Sequence, residues 1–552
     1  NTDFLTIPST TPSTTQSDWQ IVGTSLGTFA YRVNRTNAVT ELNLLGNLGS
    51  TSYRKAGNLY GIILLPETAT GKQIESARQL LINRGAADGV TSSAYNAAWY
   101  QRNDIVEFRN IDFTGATNLQ SAWQDSTSLT SFSVALLPDA TDVSYAWRYA
   151  PLTSFNTAIP LVTHAQFAWF SCANLSNFGA IQAPLCVNFS SAWQGCSALT
   201  SFPAGAQLGT AASNVTFASA WRSSGLTSFP ANIDLSNGTN FNNAWRQSSL
   251  NSFPAIESTQ NGTSFSDAWY TCTSLVTFGN ANLSSGTSFT SAWHGCSALT
   301  DFSGEAKLGT AAENVNFTSA WRASGLTALP AGLDLSKGDR FNNAFNGCTA
   351  LTTIGSGVLL GTAELDVSFT DTFINCTALT ALPASLDLSS GVNFTSAFQN
   401  CTALTSFPAG AKLGTAAANV NFTSAWRSSG LIELPATLDL SKGSSFHNAF
   451  NGCTSLTTVG SGVLLGTASA NVQFTQAFFG CAALTSLPAG LDLGKGYDFQ
   501  SAFQDCTSLV NFPAGAFDAL LAVTNNCFVS TWDGCTALSA TSVFNILSSI
   551  DT

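Results

Sequence analysis

A chain of 552 residues in which only 9% are Asp, Glu, Lys or Arg, against roughly 25% in an ordinary soluble protein, must build its surface from Ser, Thr, Asn, Gln and Gly. With a net charge of −12 and 20 Lys and Arg in all, it offers no basic footprint to phosphates, which excludes nucleic acid and disfavours an anionic membrane surface. Three histidines, His164, His294 and His447, leave little material for acid–base or metal chemistry, and no apolar run approaches the roughly 18 residues that mark a membrane span.

Residues 1–20 are rich in Ser, Thr and Pro and read as a linker or extended arm. The lack of Met, initiator included, reads as a processed or trimmed start. Residues 21–94 read as an N-terminal α/β capping region. Trp19 to Val22, Thr28 to Val33 and Leu59 to Leu65 alternate or run apolar and predict short strands. Ile74, Ala77, Leu80 and Leu81 recur at helical spacing ahead of Gly85, which predicts a helix over 71–84, placed to cover the first coil of the array that follows. Gly23-Thr24-Ser25-Leu26-Gly27 matches the elbow that holds a nucleophilic serine, but nothing after it reads as the required helix and no His lies nearby. Chance in a Gly/Ser-rich chain accounts for it.

From 95 to 540 the chain is a repeat. Ala-Trp or Ala-Phe, twice with Thr for the Ala, recurs at eighteen anchors from Trp99 through Trp193, Trp293 and Phe398 to Trp532. Five units of 28 residues share an inserted Leu-Gly-Thr beginning at Leu208, Leu308, Leu360, Leu413 and Leu465, which reads as one lengthened loop. The blocks Trp293 to Phe398 and Phe398 to Phe503 span 105 residues each and nearly duplicate one another. Four coils were copied together, as happens when each coil touches only its neighbours. Phe stands four residues before the anchor in 14 of the 18 coils, a spacing that predicts a short helical turn with both rings on one face. Cys follows three after the anchor, Leu six after, and Phe, Leu or Ile nine after, often with Pro closing what reads as a short strand.

The pattern F-x-x-A-[FW]-x-x-C-x-x-L-x-x-[LF]-P, as in Phe394 to Pro408, resembles the BspA-like leucine-rich repeats and the related bacterial surface-protein repeats of about 26 residues. The resemblance implies an α/β repeat solenoid: a leucine-rich-repeat-like array of about 18 coils of 24–28 residues each, with a parallel β-ladder, short helical turns and an N-terminal α/β cap. Residues 541–552 then begin a C-terminal cap or extension. Family members are surface adhesins, lipoproteins and phage-encoded structural proteins. The bacterial surface-protein pattern usually has Met near the anchor where these coils have Ala, Thr or Ser, a departure that points to a specialised lineage, that of phages of marine bacteria.

Eleven cysteines fill the slot three after the anchor: Cys172, Cys196, Cys272, Cys296, Cys348, Cys376, Cys401, Cys453, Cys481, Cys506 and Cys535. Slot mates in stacked coils point the same way, which makes disulfide geometry hard to reach, so free buried thiols are expected, with some bridges as the alternative. Zinc is not expected, because no C-x-x-C spacing occurs. Five coils carry Arg directly after the anchor, lack the Cys and have their Leu one residue early: Arg148, Arg222, Arg246, Arg322 and Arg427. Each guanidinium is expected to cap carbonyls freed by the shortened turn while lying over the anchor indole, the alternative being a plain solvated cation. Asp234, Asp334, Asp387, Asp439 and Asp492 lie too far apart to share a calcium ion, and His294 and His447 read as exposed variants rather than ligands.

Between the coil Leu and the strand end lie Thr200 and Ser201, Thr227 and Ser228, Asn251 and Ser252, and Thr405 and Ser406. Side chains alternate across a strand, so one of each pair is expected to face out and build a hydroxyl-rich strip able to hydrogen-bond a glycan. With no catalytic, cofactor or metal residue in prospect, the expected function is that of a non-catalytic extracellular structural or recognition protein, a virion component such as a phage fibre that attaches through this face. A bacterial cell-surface adhesin is the alternative, and an ice-binding solenoid a further one. Expected partners are a cell-surface glycan or protein receptor and other structural subunits, including copies of the chain itself. Its expected place is the surface of a virion or a cell.

Overall fold

Each of the eighteen anchors is flanked by residues of positive φ two before it and two after it. Around Trp193 these are Ser191 at 54° and Gly195 at 75°. Ala192 N donates to Phe189 O at 3.0 Å and Cys196 N to Trp193 O at 3.3 Å, so two tight turns follow one another, each with its left-handed residue in the third place. Ser, Asn, Asp and Gly tolerate that place best. The amides of Phe189, Ser191, Trp193 and Gly195 are left to donate to the carbonyls of Thr216, Ala218, Ala220 and Arg222 in the next coil, at 2.8–2.9 Å. The helical turn expected here is therefore not a helix. Alternating left-handed residues forbid one, yet they still bring positions four apart together, with the Phe189 and Trp193 rings 5.7 Å apart. Among the described residues the one helix is α1 (Ala540–Ile550).

The computed structural model describes residues 16–24, 27–35, 59–65, 95–109, 113–408, 410–520 and 526–550. They divide into two units, Asn1–Gly238 and Thr239–Thr552. In the first unit β1 (Gln16–Thr24) pairs antiparallel with β2 (Gly27–Arg35) and β3 (Leu59–Leu65). The three expected strands are thus present, but β1 takes in residues 16–20, which the sequence assigns to the linker; the helix expected over 71–84 lies outside the described residues. β2 also pairs antiparallel with β4 (Ile105–Arg109), placing Tyr31 opposite Phe108. From β4 onward the pairing is parallel, through β5 (Ser131–Ser133), β6 (Ser154–Phe155) and β7 (Asn177–Phe178). β2 thereby covers the backbone edge with which the parallel ladder would otherwise begin.

Two aromatic columns run through this unit. Trp123, Trp147, Trp169, Trp193 and Trp221 are fully buried and stack 5.3–5.6 Å apart within 6° of parallel. Phe178 and Phe202 meet Trp193 edge-to-face at 5.3 and 5.0 Å. The Trp193 indole N–H reaches no oxygen or nitrogen acceptor, and the surrounding rings are the acceptors left to it.

The second unit repeats the plan. Ser252–Phe253, Thr277–Phe278 and Asp301–Phe302 form one parallel ladder, and eight strands from Val315–Asn316 to Gly496–Asp498 form another. Its anchors Trp245, Trp269, Trp293, Trp321 and Phe345 stack 5.0–5.2 Å apart. The first residue of each Leu-Gly-Thr insert belongs to a ladder, since Leu308 pairs with Leu283 and Leu360 with Leu335. The extra length follows it. Gly309 (φ 66°) begins that excursion where a Cβ would lie 2.7 Å from the Gly286 carbonyl oxygen, so only glycine fits.

Helix α1 closes the last described coil. Ser539 caps it, accepting from Ser542 N at 3.2 Å. Ser542 Oγ donates to Val510 O and accepts from Phe512 N, both at 2.8 Å, and Asn545 Nδ2 donates to Phe512 O at 2.9 Å. The polar side of α1 therefore satisfies the edge a further coil would have paired, and Val543, Phe544 and Leu547 face outward. No helix of the described residues is long and apolar enough to cross a membrane.

Candidate functional site

The residues of the expected strip lie on the coil surface, and both members of most pairs are outside. Thr200, Ser201, Thr227, Ser228, Asn251, Ser252 and Thr405 are exposed, and Ser406 is half-buried. The expectation that only one of each pair faces out fails because there is almost no pleat to alternate across: Ser252 opens a two-residue strand with Asn251 before it, and the other three pairs lie outside any strand. The role of the first member differs from that of the second. Thr227 donates both its N–H (3.0 Å) and its hydroxyl (3.2 Å) to Thr200 O. The same doubling joins Thr153 to Thr130 and Ser176 to Thr153, with hydroxyl bonds of 3.3 Å. Hydroxyls of this first row brace one coil against the next, whereas Ser201, Ser228 and Ser252 make no side-chain hydrogen bond to any described residue.

The strip is more continuous than the four pairs suggest in the first unit and less so in the second. Thr130 with Ser131, Thr153 with Ser154, and Ser176 with Asn177 occupy the same register ahead of Thr200. That register was legible from the coil Leu each pair follows. In the second unit the exposed Val276 and Ile432 interrupt the first row.

All thirteen cysteines are free and buried. Each of the eleven in the ladder slot places its thiol 2.9–3.2 Å from the anchor carbonyl of the preceding coil, as Cys196 does to Trp169 and Cys296 to Trp269. Burial pushes the Cys196 and Cys401 thiols up to about 12. Cys272, Cys348 and Cys453 rise only to about 11, because hydrogen bonds from a neighbouring Ser oppose the cost of burial. Those serines, Ser248, Ser324 and Ser429, stand in the Cys slot of the Arg-bearing coils.

The arginines do not sit where the sequence suggests. Arg148 lies 4.7 Å from the Tyr149 ring centroid and 5.3 Å from that of Phe170, and Arg246 lies 4.2 Å from that of Tyr270. These two cover aromatics beside the anchors, not the buried indoles. The shortened turn instead bonds back through its own backbone: Gly225, Gly325 and Gly430 N–H donate to Cys196, Cys296 and Cys401 O of the preceding coil at 3.1 Å. A Cβ on Gly225 would lie 2.1 Å from the Ser197 carbonyl oxygen, which explains the glycine.

Asp234, Asp334, Asp387, Asp439 and Asp492 each accept the backbone N–H two residues on, at 2.8–3.0 Å, and so hold local turns. His294 and His447 are half-buried, not exposed. His294 packs 4.8 Å from Tyr270, and burial together with Arg322 and Arg246 lowers its pKa. Among the described residues no three His, Cys, Asp or Glu are placed to hold a metal. In a polar groove lined by Glu257, Asn280, Asn282, Glu305 and Lys307, Asn282 donates to Glu257 and Asn280 to Glu305. Ser25 and Leu26 of the elbow-like motif lie outside the described residues, and Gly27 opens strand β2 rather than a helix.

No protein-family model matches the chain, and no curated protein matches its sequence. Among solved structures it is similar to the crystal structure of the TLR13–ssRNA13 complex, at 12% identity over 80% of this chain and 82% of that one, with a TM-score of 0.19. At that score the likeness carries no argument. The leucine-rich-repeat-like solenoid stands on its own coils, ladders and anchors.

Proposed function

We propose that this chain is a non-catalytic recognition solenoid working outside the cell, a component of a virion fibre or surface that attaches to a glycan or protein receptor. The observation that carries the reading is the row of polar residues along the first unit from Thr130 to Ser228, in which Ser154, Ser201 and Ser228 are exposed and make no side-chain hydrogen bond to any described residue. A surface with so few charges binds through hydrogen bonds that salt hardly screens. The likeness of the repeat to BspA-like sequences supports the same class, and within that class a bacterial adhesin is the second reading.

Purified chain applied to an array of cell-surface glycans should bind a subset. Changing Ser154, Ser201 and Ser228 together to Ala should abolish binding of the uncharged members of that subset without changing thermal stability. Unaltered binding would dispose of the hydroxyl row as the attachment face, and antibody labelling of virions and cell envelopes in the electron microscope separates the two readings.

A further inference from the structure

Three aromatic side chains stand where the coils otherwise avoid them. The left-handed places two before and two after each anchor are filled by Ser, Asn, Asp, Gln, Thr, Ala or Gly, except at Tyr145, Tyr149 and Phe167. All three belong to the neighbouring coils of Trp147 and Trp169, with φ of 60°, 62° and 56°. A bulky side chain at positive φ is sterically unfavourable, and such strain, held in place by the surrounding structure, gathers at ligand-binding sites.

The rings form a surface platform. Tyr145 and Phe167 stack 4.9 Å apart and 9° from parallel. Phe170 lies 5.5 Å from Phe167 and meets Tyr149 edge-to-face at 5.5 Å. Tyr149 is 42% exposed and the others are half-buried, unlike the anchor rings, which are sealed inside.

Arg148 sits among them, its guanidinium carbon 4.7, 5.3 and 5.7 Å from the Tyr149, Phe170 and Tyr145 centroids. Nη2 donates to Tyr149 Oη at 3.2 Å. Nε has no hydrogen-bond partner, and no described carboxylate lies within ion-pair distance. Arg246, its counterpart in the second unit, has one in Asp267 at 3.7 Å. Arg222, Arg322 and Arg427 likewise have no described carboxylate within that distance, so what sets Arg148 apart is the group of rings that holds it.

We propose that Tyr145, Tyr149, Phe167 and Phe170 with Arg148 bind a carboxylate-bearing pyranose in a glycan. Flat ring faces take the C–H face of the sugar, and the planar guanidinium fork takes the carboxylate. A cationic ligand is disfavoured, since Arg148 already places a positive charge beside the Tyr149 and Phe170 rings. The site lies on the anchor turns, apart in the coil from the hydroxyl row, and deepens the attachment reading without resting on that row.

The test measures binding of the full chain to immobilised oligosaccharides ending in glucuronic acid or in glucose. The acidic one should bind at least tenfold more tightly. Tyr145→Ser with Phe167→Ser should cut that binding at least tenfold while leaving the melting temperature unchanged or raised, because Ser is what Ser121 and Ser191 place at this position. Arg148→Gln, the residue at Gln124 and Gln194, should erase the preference for the acid and leave binding of glucose ends unchanged. Ser201→Ala with Ser228→Ala should leave acid binding intact; if it abolishes acid binding, the hydroxyl row is the site and the platform is not. Equal binding of both sugars, no binding of either, full binding by the double Ser variant, or a sharp fall in its melting temperature would each overturn the proposal.

Discussion

The Cys196 thiol donates to the backbone carbonyl of Trp169, one coil earlier, at 3.1 Å. That carbonyl already accepts from Cys172 N at 3.1 Å, so the thiol fills its second lone pair, deep in the core and out of reach of water. Ser126 does the same for Trp99 at 2.9 Å, so in that coil an oxygen donor serves where other coils use sulfur. Cys196→Ser should therefore cost less than Cys196→Ala, for which the lost bond and the small void give about 1–2 kcal/mol. Urea unfolding of the two variants measures the order. A more stable Ala variant would show that the thiol acts only as an apolar filler.

The same burial makes stability fall in alkali. The thiol of Cys196 rises from 9.0 to about 12 and that of Cys348 to about 11, with burial the leading cause in both. Between those limits the unfolded chain releases protons that the folded chain keeps. The contribution is whole below pH 9 and drains away as pH rises toward 11–12. Urea midpoints should drop steeply from pH 8.5 to 10.5 on account of about 2 pH units of titration in the unfolded thiols, and Cys196→Ser should drop less. Parallel curves for the two proteins would remove the thiols from the explanation.

Thr271 occupies a left-handed place at φ 51°, unfavourable for a β-branched residue, and its hydroxyl is buried without a partner. The next coil has Gly295 there, and a Cβ on that glycine would lie 3.0 Å from Thr271 Cγ2. Relief of about 1–2 kcal/mol of left-handed strain exceeds the added chain entropy of about 0.5–1 kcal/mol. Thr271→Gly should then stabilise the protein by about 0.5–1 kcal/mol, read as a higher melting temperature. A lower one would mean that the threonine is held by packing that outweighs its backbone strain.

Much of this architecture was legible because one period controls it. Anchors, Leu positions and the Cys slot declare themselves through recurrence alone, and the strands over 19–22, 28–33 and 59–65 through apolar runs. The helical turn was misread because Phe189 and Trp193 are four apart, the spacing of a helix. The contrary signal lay between and beside them, in the Ser, Asn, Asp and Gly that recur two before and two after the anchor, residues suited to positive φ. The arginines were misplaced for a different reason. Their co-occurrence with a shortened turn is visible in sequence, but the amides of Gly225 and its equivalents bond to the preceding coil, and Phe170 under Arg148 and Tyr270 under Arg246 come from the next coil, a stacking register that sequence does not display. For the hydroxyl row, membership follows from the coil Leu, while the division between bracing and free hydroxyls depends on which carbonyl lies within reach.

Trp293 tests how far a loss spreads. Its ring is fully buried, stacked on Trp269 and Trp321 at 5.2 and 5.0 Å and met edge-to-face by Phe278 and Phe302 at 5.0 and 5.1 Å. Trp293→Ala should cost about 3–5 kcal/mol. Its packing partners all belong to its own coil and the two beside it, so a repeat stack loses this energy locally. Hydrogen exchange should show lost protection in the coils of Trp269, Trp293 and Trp321, with that of Phe450 unchanged. Uniform loss from Trp245 to Phe503 would instead make the second unit a single cooperative block. Trp293→Phe separates volume from polarity. It keeps a stacked ring, as at Phe345, and removes an indole N–H that has no acceptor, so it should cost less than about 1.5 kcal/mol. A cost near that of the Ala variant would show that the full indole volume, rather than an aromatic face, is what the column requires.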